Sequence, residues 1–266
     1  MTVRELYEFL EERYPASLSE EWDHDGLMCC PDPEAEVTAV LSALDVTERA
    51  IERAVEIGAN VILSHHPLIF DPITAVRADQ PVGRKLLALL GAGISVISLH
   101  TRADAAPGGV NALLATALDL YQVVPFGNGL GRCGLLDADG DVTVADFARS
   151  AAAALSSPAV IYGDAGLPVR CVAVVGGSGK SMIAAAKEAG ADTLISGRLS
   201  YETVNEAGAL GINLVEAGHF YTEALLPKRW AEDLALYGIK TEYFSSCEVA
   251  ILENEHTANA GKREDI

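Results

Sequence analysis

The chain has 266 residues and is 50% hydrophobic, enough apolar sequence to bury a sizeable core as one large domain or two smaller ones. Lys and Arg number 19 against 38 Asp and Glu, a formal net charge of -19, which repels phosphate backbones and argues against nonspecific nucleic-acid binding. No apolar run reaches the roughly 18–20 residues that span a bilayer, and the opening MTVRELYEFLEERYP is charged and amphipathic, unlike a secretory leader, so a cytoplasmic protein with no membrane partner is expected.

Helix and strand patterns alternate along the chain, which predicts an α/β fold. Residues 3–13 carry apolar side chains at helical spacing. AVLSAL (39–44) reads as a strand and TERAIERAVEIG (47–58) as a helix closed by Gly58. NVILS (60–64) is the next strand, followed by a helix near 82–90 and the strand ISVISL (94–99). PGGVNALLATAL then opens a helix, with Pro107 near its first turn. The second half repeats this order: strand VRCVAVV (169–175), helix 179–190, strands ADTLIS (191–196) and INLVEA (212–217), and a helix over roughly 223–237 that Pro227 could kink or restart.

The halves also align residue by residue. AVEIGANVILSHH parallels AAKEAGADTLISGR, and GISVISLHTRAD parallels GINLVEAGHFYTE. An internal duplication follows, with its junction near the glycine-rich PFGNGLGRCG (125–134). The expected organisation is a first α/β domain over 1–126, completed by the segment 238–253, a second over 127–237, and a polar tail over 254–266. His256 lies in that tail and is a poor candidate for function.

The stretch NVILSHHPLIF (60–70) runs a buried strand straight into two imidazoles. His100 and Asp104 follow the strand ISVISL, and His219 and Glu223 follow INLVEA, both as His-x-x-x-carboxylate. Ligands gather at the carboxyl edge of open α/β sheets, so His65, His66, His100, Asp104, His219 and Glu223 can meet in one crevice. Imidazole with carboxylate suits zinc, iron or manganese. Four histidines and two acids exceed the needs of one ion and fit a pair about 3.5–4 Å apart.

Other motifs carry less. Cys29, Cys30, Cys133, Cys171 and Cys247 are odd in number and form no CxxC, so neither a disulfide framework nor a thiolate zinc site is expected. The adjacent Cys29 and Cys30 read as small buried hydrophobes. GGSGKS (176–181) lacks the first glycine of a phosphate-binding loop, because position 174 is Val174; it reads as a tight strand-to-helix turn.

SHHPLIF, HTRADAAPGGVN, GGSG and GHFYTE together resemble the signature segments of the Nif-three-like family, also called GTP cyclohydrolase I type 2 homologues or dinuclear-metal-centre proteins. The resemblance covers about residues 5–245. It implies two related, intertwined α/β domains, a toroidal homohexamer, and two divalent metal ions per subunit. The family's ligands fall on His65, His66, Asp104, His219 and Glu223, with His100 lining the same site as ligand or neighbour. The family's W-D-N-x-G-L segment appears here as Trp22-Asp23-His24-Asp25-Gly26-Leu27, with His24 in place of Asn. The first reading is a metal-dependent hydrolase acting on a nucleotide or related small molecule, with His100, one helical-turn spacing before Asp104, as catalytic proton shuttle; the alternative is a non-catalytic metal-binding or protein-interaction protein.

Overall fold

In the computed structural model, which describes residues 1–136 and 142–245, helix α1 (Val3–Glu11) starts at a capping box. Thr2 accepts from the Glu5 backbone N–H while the Glu5 side chain accepts from Thr2 N–H. Its apolar stripe, Val3, Leu6 and Leu10, is buried. After strand β1 (Gly26–Cys29) comes the first repeat unit: β2 (Val40–Ala43), α2 (Glu48–Ile57), β3 (Val61–Ser64), α3 (Pro81–Ala92) and β4 (Ser95–Ser98). All residues of β2, β3 and β4 are buried, as expected of parallel strands covered on both faces. Gly58 and Gly93 close α2 and α3 in the left-handed conformation.

The second unit repeats this layout with α6 (Val144–Leu155), β7 (Val160–Tyr162), β8 (Cys171–Ser178), α7 (Ile183–Glu188), β9 (Thr193–Arg198), α8 (Tyr201–Leu210) and β10 (Asn213–Glu216). In each unit the three repeat strands are parallel and an earlier strand pairs antiparallel with the last of them: β1 with β4, β7 with β10. The duplication read from the sequence is therefore present as a repeated topology.

The units then exchange elements. After β4 come α4 (Thr101–Ala105), α5 (Val110–Ala117) and β5 (Leu120–Phe126), and after β10 come α9 (His219–Glu223), α10 (Leu225–Leu236) and β11 (Thr241–Phe244). Helix α5 packs on β8 of the second sheet, and α10 packs on β2 of the first. Leu226, Trp230 and Leu234 of α10 share a core with Val40, Leu63 and Ile97, while Leu114 of α5 and Leu118 just past its end share one with Val172, Ile195 and Val215. Strand β11 extends the first sheet beside β2. Strand β5 extends the second through β6 (Gly131–Leu136), so the sheet orders are β1-β4-β3-β2-β11 and β5-β6-β8-β9-β10-β7. The fold is thus two related α/β units, intertwined.

Several local expectations need adjustment. The stretch 125–134 is no plain connection but a hairpin of β5 and β6, turned by Gly127, Asn128 and Gly129, all at positive φ. Strand β5, within the stretch expected to close the first unit, pairs in the second sheet. The helix expected over 179–190 is shortened to Ile183–Glu188, because β8 runs on to Ser178. Pro227 lies in the first turn of α10, where its missing N–H has no helical partner to lose; the chain restarts at Ala224, which ends α9 and begins α10. The tail 254–266 and Cys247 lie outside the described residues. Among the described cysteines all are free, and no described helix is long and apolar enough to cross a membrane.

Candidate metal centre

The site forms where both sheets present the carboxyl ends of their strands. His65 and His66 leave the end of β3, and their backbone N–H groups still donate to Ala43 O and Leu44 O, at 3.2 and 2.9 Å. His100 is the N-cap of α4, so Asp104 falls one turn below it. His219 opens α9 after Gly218, at φ 83°, and Glu223 follows one turn later. Residues four apart on a helix share a face, so each short helix turns an imidazole and a carboxylate toward the same crevice. The second unit's counterpart of His65-His66 is Gly197-Arg198. A side chain at Gly197 would sit 2.5 Å from Thr222 Oγ1 and 2.7 Å from Gly177 O, so this strand end lends close packing in place of imidazoles.

The donor atoms form two groups that share Glu223. His65, Asp104 and Glu223 bring one donor each within 4.8 Å of one another, as do His66, His219 and Glu223; His65, His66 and His100 make a third such cluster. Glu223 Oε1 is 3.8 Å from His65 Nε2, whereas Oε2 lies 3.0 Å from His66 Nε2 and 2.9 Å from His219 Nε2. The Nε2 atoms of His66 and His219 are 3.3 Å apart.

Burial makes this arrangement demanding. His65 Nδ1 donates to Leu99 O at 3.0 Å, which leaves a lone pair on its Nε2. That atom faces Asp104 Oδ1 at 3.5 Å, and both are buried without a hydrogen-bond partner. Two acceptors facing each other out of water are costly unless something positive lies between them. Burial lowers the His65 pKa and, with the Glu223 charge next, raises that of Asp104 well above the usual carboxylate range. Burial would raise Glu223 too, but hydrogen bonds from His219 and His66 outweigh it and hold its carboxyl well below its usual value. For His66 burial opposes the charge, yet Asp45 and Glu223 together push its pKa to about 10. The orphaned pair and the imidazole–carboxylate donor set fit a divalent cation, and these groups could hold one.

A family model described as Duf34/NIF3 (NGG1p interacting factor 3) matches residues 1–255. The chain belongs to the NIF3 family. Relatives named GTP cyclohydrolase 1 type 2 homolog include one from Clostridium perfringens, 32% identical over 84% of this chain and 87% of its own length. One from Streptomyces coelicolor is 35% identical over 83% and 81%. Among solved structures, reduced HcgD from Methanocaldococcus jannaschii is 28% identical with a TM-score of 0.80, covering 91% of this chain and 97% of its own. A hypothetical protein from Staphylococcus aureus is 27% identical with a TM-score of 0.84, covering 92% and 96%.

Around the clustered donors this NIF3 chain has supporting acids that sequence reasoning missed. Asp45 Oδ1 accepts from His66 Nδ1 at 2.7 Å and orients its Nε2 toward Glu223, the usual role of a carboxylate behind a ligand histidine. Asp23 Oδ1 lies 2.9 Å from His100 Nδ1, and Asp23 Oδ2 accepts from the Thr101 backbone and hydroxyl at 3.0 and 2.6 Å. Asp25 accepts from His100 N–H and from Arg102, whose buried guanidinium also reaches Glu11. The Trp-Asp loop thereby clamps the HTRAD turn. His24 is exposed, outside the clustered donors. Asp45 offered one positional cue, two residues past the carboxyl end of β2, but a lone acid there reads as solvated.

Proposed function

We propose that this NIF3 protein holds two divalent metal ions and is a metal-dependent hydrolase acting on a nucleotide or related small molecule. One ion would be held by His65, Asp104 and Glu223, the other by His66, His219 and Glu223, with zinc, iron and manganese the candidates. The observation that carries this reading is the division of Glu223: one oxygen faces His65, the other His66 and His219, as a bridging carboxylate requires. A pair of such ions supplies Lewis acidity and makes water nucleophilic near neutral pH. The protein's own contribution is to fix the donors, through Asp45 on His66 and Leu99 O on His65. His100, held by Asp23, is positioned to carry a proton. The names of the curated relatives support hydrolysis of a nucleotide ring, and the family resemblance supports a homohexameric assembly.

Elemental analysis of the purified protein, followed by a nucleotide and phosphoester hydrolysis panel with the found metal restored, tests this. Glu223→Ala should deplete both ions, since both groups share that residue. Unchanged metal content in Glu223→Ala would overturn the ligand assignment. A metal-replete protein that turns over nothing in the panel would favour a non-catalytic, protein-interaction role.

A further inference from the structure

Strands β6 and β8 are antiparallel neighbours, with Cys133 opposite Ala173 and Leu135 opposite Cys171. Residues two apart on a strand share a face, so Cys133 and Cys171 lie on one face of the sheet as a diagonal pair. Their sulfurs are 3.3 Å apart. A disulfide needs ~2.05 Å, so a further approach of about 1.3 Å would join them. The ladder between the strands holds both residues at this spacing.

The two thiols differ in access. Cys133 is 2% exposed, in a core shared with Ala173, Ala191 and Leu194. Cys171 packs against that core and is only partly buried. Burial first, then the neighbouring sulfur, pushes the Cys133 pKa up to about 12, so at neutral pH it is a thiol. The thiolate is the attacking species in disulfide exchange, and access sets its rate. An oxidant in solution therefore enters at Cys171, and Cys133 stands in contact to resolve the product.

We infer that Cys133 and Cys171 form a redox site, which a small disulfide of the glutathione type converts reversibly to an intrachain disulfide. The Cys171 thiolate attacks one sulfur of the oxidant, the oxidant's S–S bond breaks, and one glutathione leaves. Cys133 then attacks the Cys171 sulfur, and the second glutathione leaves. The two protein sulfurs lose two electrons, and the two thiol protons end on the two glutathiones. Diagonal pairs across a ladder stand further apart than directly opposite ones, so the sheet pulls against the new bond. Strained disulfides are the readily reduced ones, which makes this bond a reversible one. The segment it closes carries α6 and β7, so oxidation ties both to the sheet. The site is independent of the metal reading, since Cys171 opens β8 whereas Gly177, against Glu223, lies near its other end.

The full-length protein is equilibrated in glutathione buffers of graded oxidised-to-reduced ratio, alkylated, and digested with trypsin without reduction. Arg132 and Arg170 immediately precede the two cysteines, so each begins its own tryptic peptide, residues 133–149 and 171–180. Only a disulfide joins these peptides. The joined peptide should dominate in oxidised buffer, in monomeric chains on non-reducing electrophoresis, and disappear in excess reduced glutathione. Cys133→Ser should leave Cys171 carrying one glutathione. Cys171→Ser should leave Cys133 reduced, reacting at least roughly tenfold more slowly than Cys171 does in Cys133→Ser. Equal rates in the two variants would overturn the inference. So would a wild type that yields no joined peptide, yields it only from covalent dimers, or yields one that reduced glutathione cannot reopen. The wild-type map decides the matter even where a variant fails to fold.

Discussion

His100 shows how a single side chain is placed by its surroundings. Its Nδ1 is tied to Asp23, and its ring lies 5.3 Å from that of His65 and 5.7 Å from that of His66. His100→Gln should lower turnover by roughly 10²–10⁴, the span of general acid–base catalysis, with metal content intact; metal loss in that variant would make His100 a ligand. Asp23 itself supports a pH prediction. Burial alone would raise its pKa, but hydrogen bonds from His100 and Thr101 prevail and bring it from the usual 3.8 to about 2. A depressed carboxyl stabilises the fold above its unfolded pKa and loses that stabilisation as pH falls through the folded value. On the order of 2 kcal/mol should therefore be present at neutral pH and vanish between about pH 4 and pH 2. Thermal melts of wild type and Asp23→Asn should converge across that window; a gap independent of pH would refute the assignment. The ligand-type residues were legible because unlike chemistry interrupts apolar strands at His65, His100 and His219. Asp23 and Asp45 were not, since a lone loop acid reads as solvated until its partner, 77 or 21 residues away, is in place.

At the level of elements, the GGSG turn ending β8 does more than connect a strand to a helix. Gly177 adopts φ +61°, and a β-carbon there would overlap Glu223 Oε1; one at Gly176 would fall 2.5 Å from Val110 Cγ1. The glycines let β8 close against the helix that carries the shared carboxylate. Gly177→Ala should destabilise the protein by about 1–3 kcal/mol from backbone strain and also lower its metal content by displacing Glu223. Gly190→Ala is the control, since it has φ +89° but nothing within 4 Å; it should lose stability while keeping its metal. Equal metal content in the two variants would show that the Gly177 contact is immaterial. Elements with strong local signals were readable: the Thr47 cap and Gly58 stop of α2, and the largely apolar, fully buried β2 and β3. Helix α6 was passed over although it has a capping box at Thr143 and Asp146 and buries Val144, Phe147, Ala148, Ala151 and Leu155 at helical spacing. Strand β5, with Tyr121, Val123 and Val124 exposed, lacks the buried pattern that marks a core strand.

For the whole molecule, the reciprocal exchange of α5–β5 and α10–β11 joins the units through both cores. It also holds the strand ends of both sheets face to face, so that a carboxylate from one unit meets the histidines of the other. Closed symmetric assembly is common among homo-oligomers, and a hexamer should scatter light as six copies of the 28.0 kDa subunit across a wide concentration range; a monomer mass throughout would exclude it. The sequence by itself determined the α/β class, the duplicated order of elements and the polar residues at strand ends, because these depend on local periodicity and on repeated segments. Only the tertiary structure decided that β5 belongs to the second sheet, and that the two oxygens of Glu223 divide between the two histidine groups. The first outcome follows from β6, which carries β5 on one edge and pairs with β8 on the other; the second depends on contacts such as that of His66 with Glu223, 157 residues apart, which no local pattern along the chain encodes.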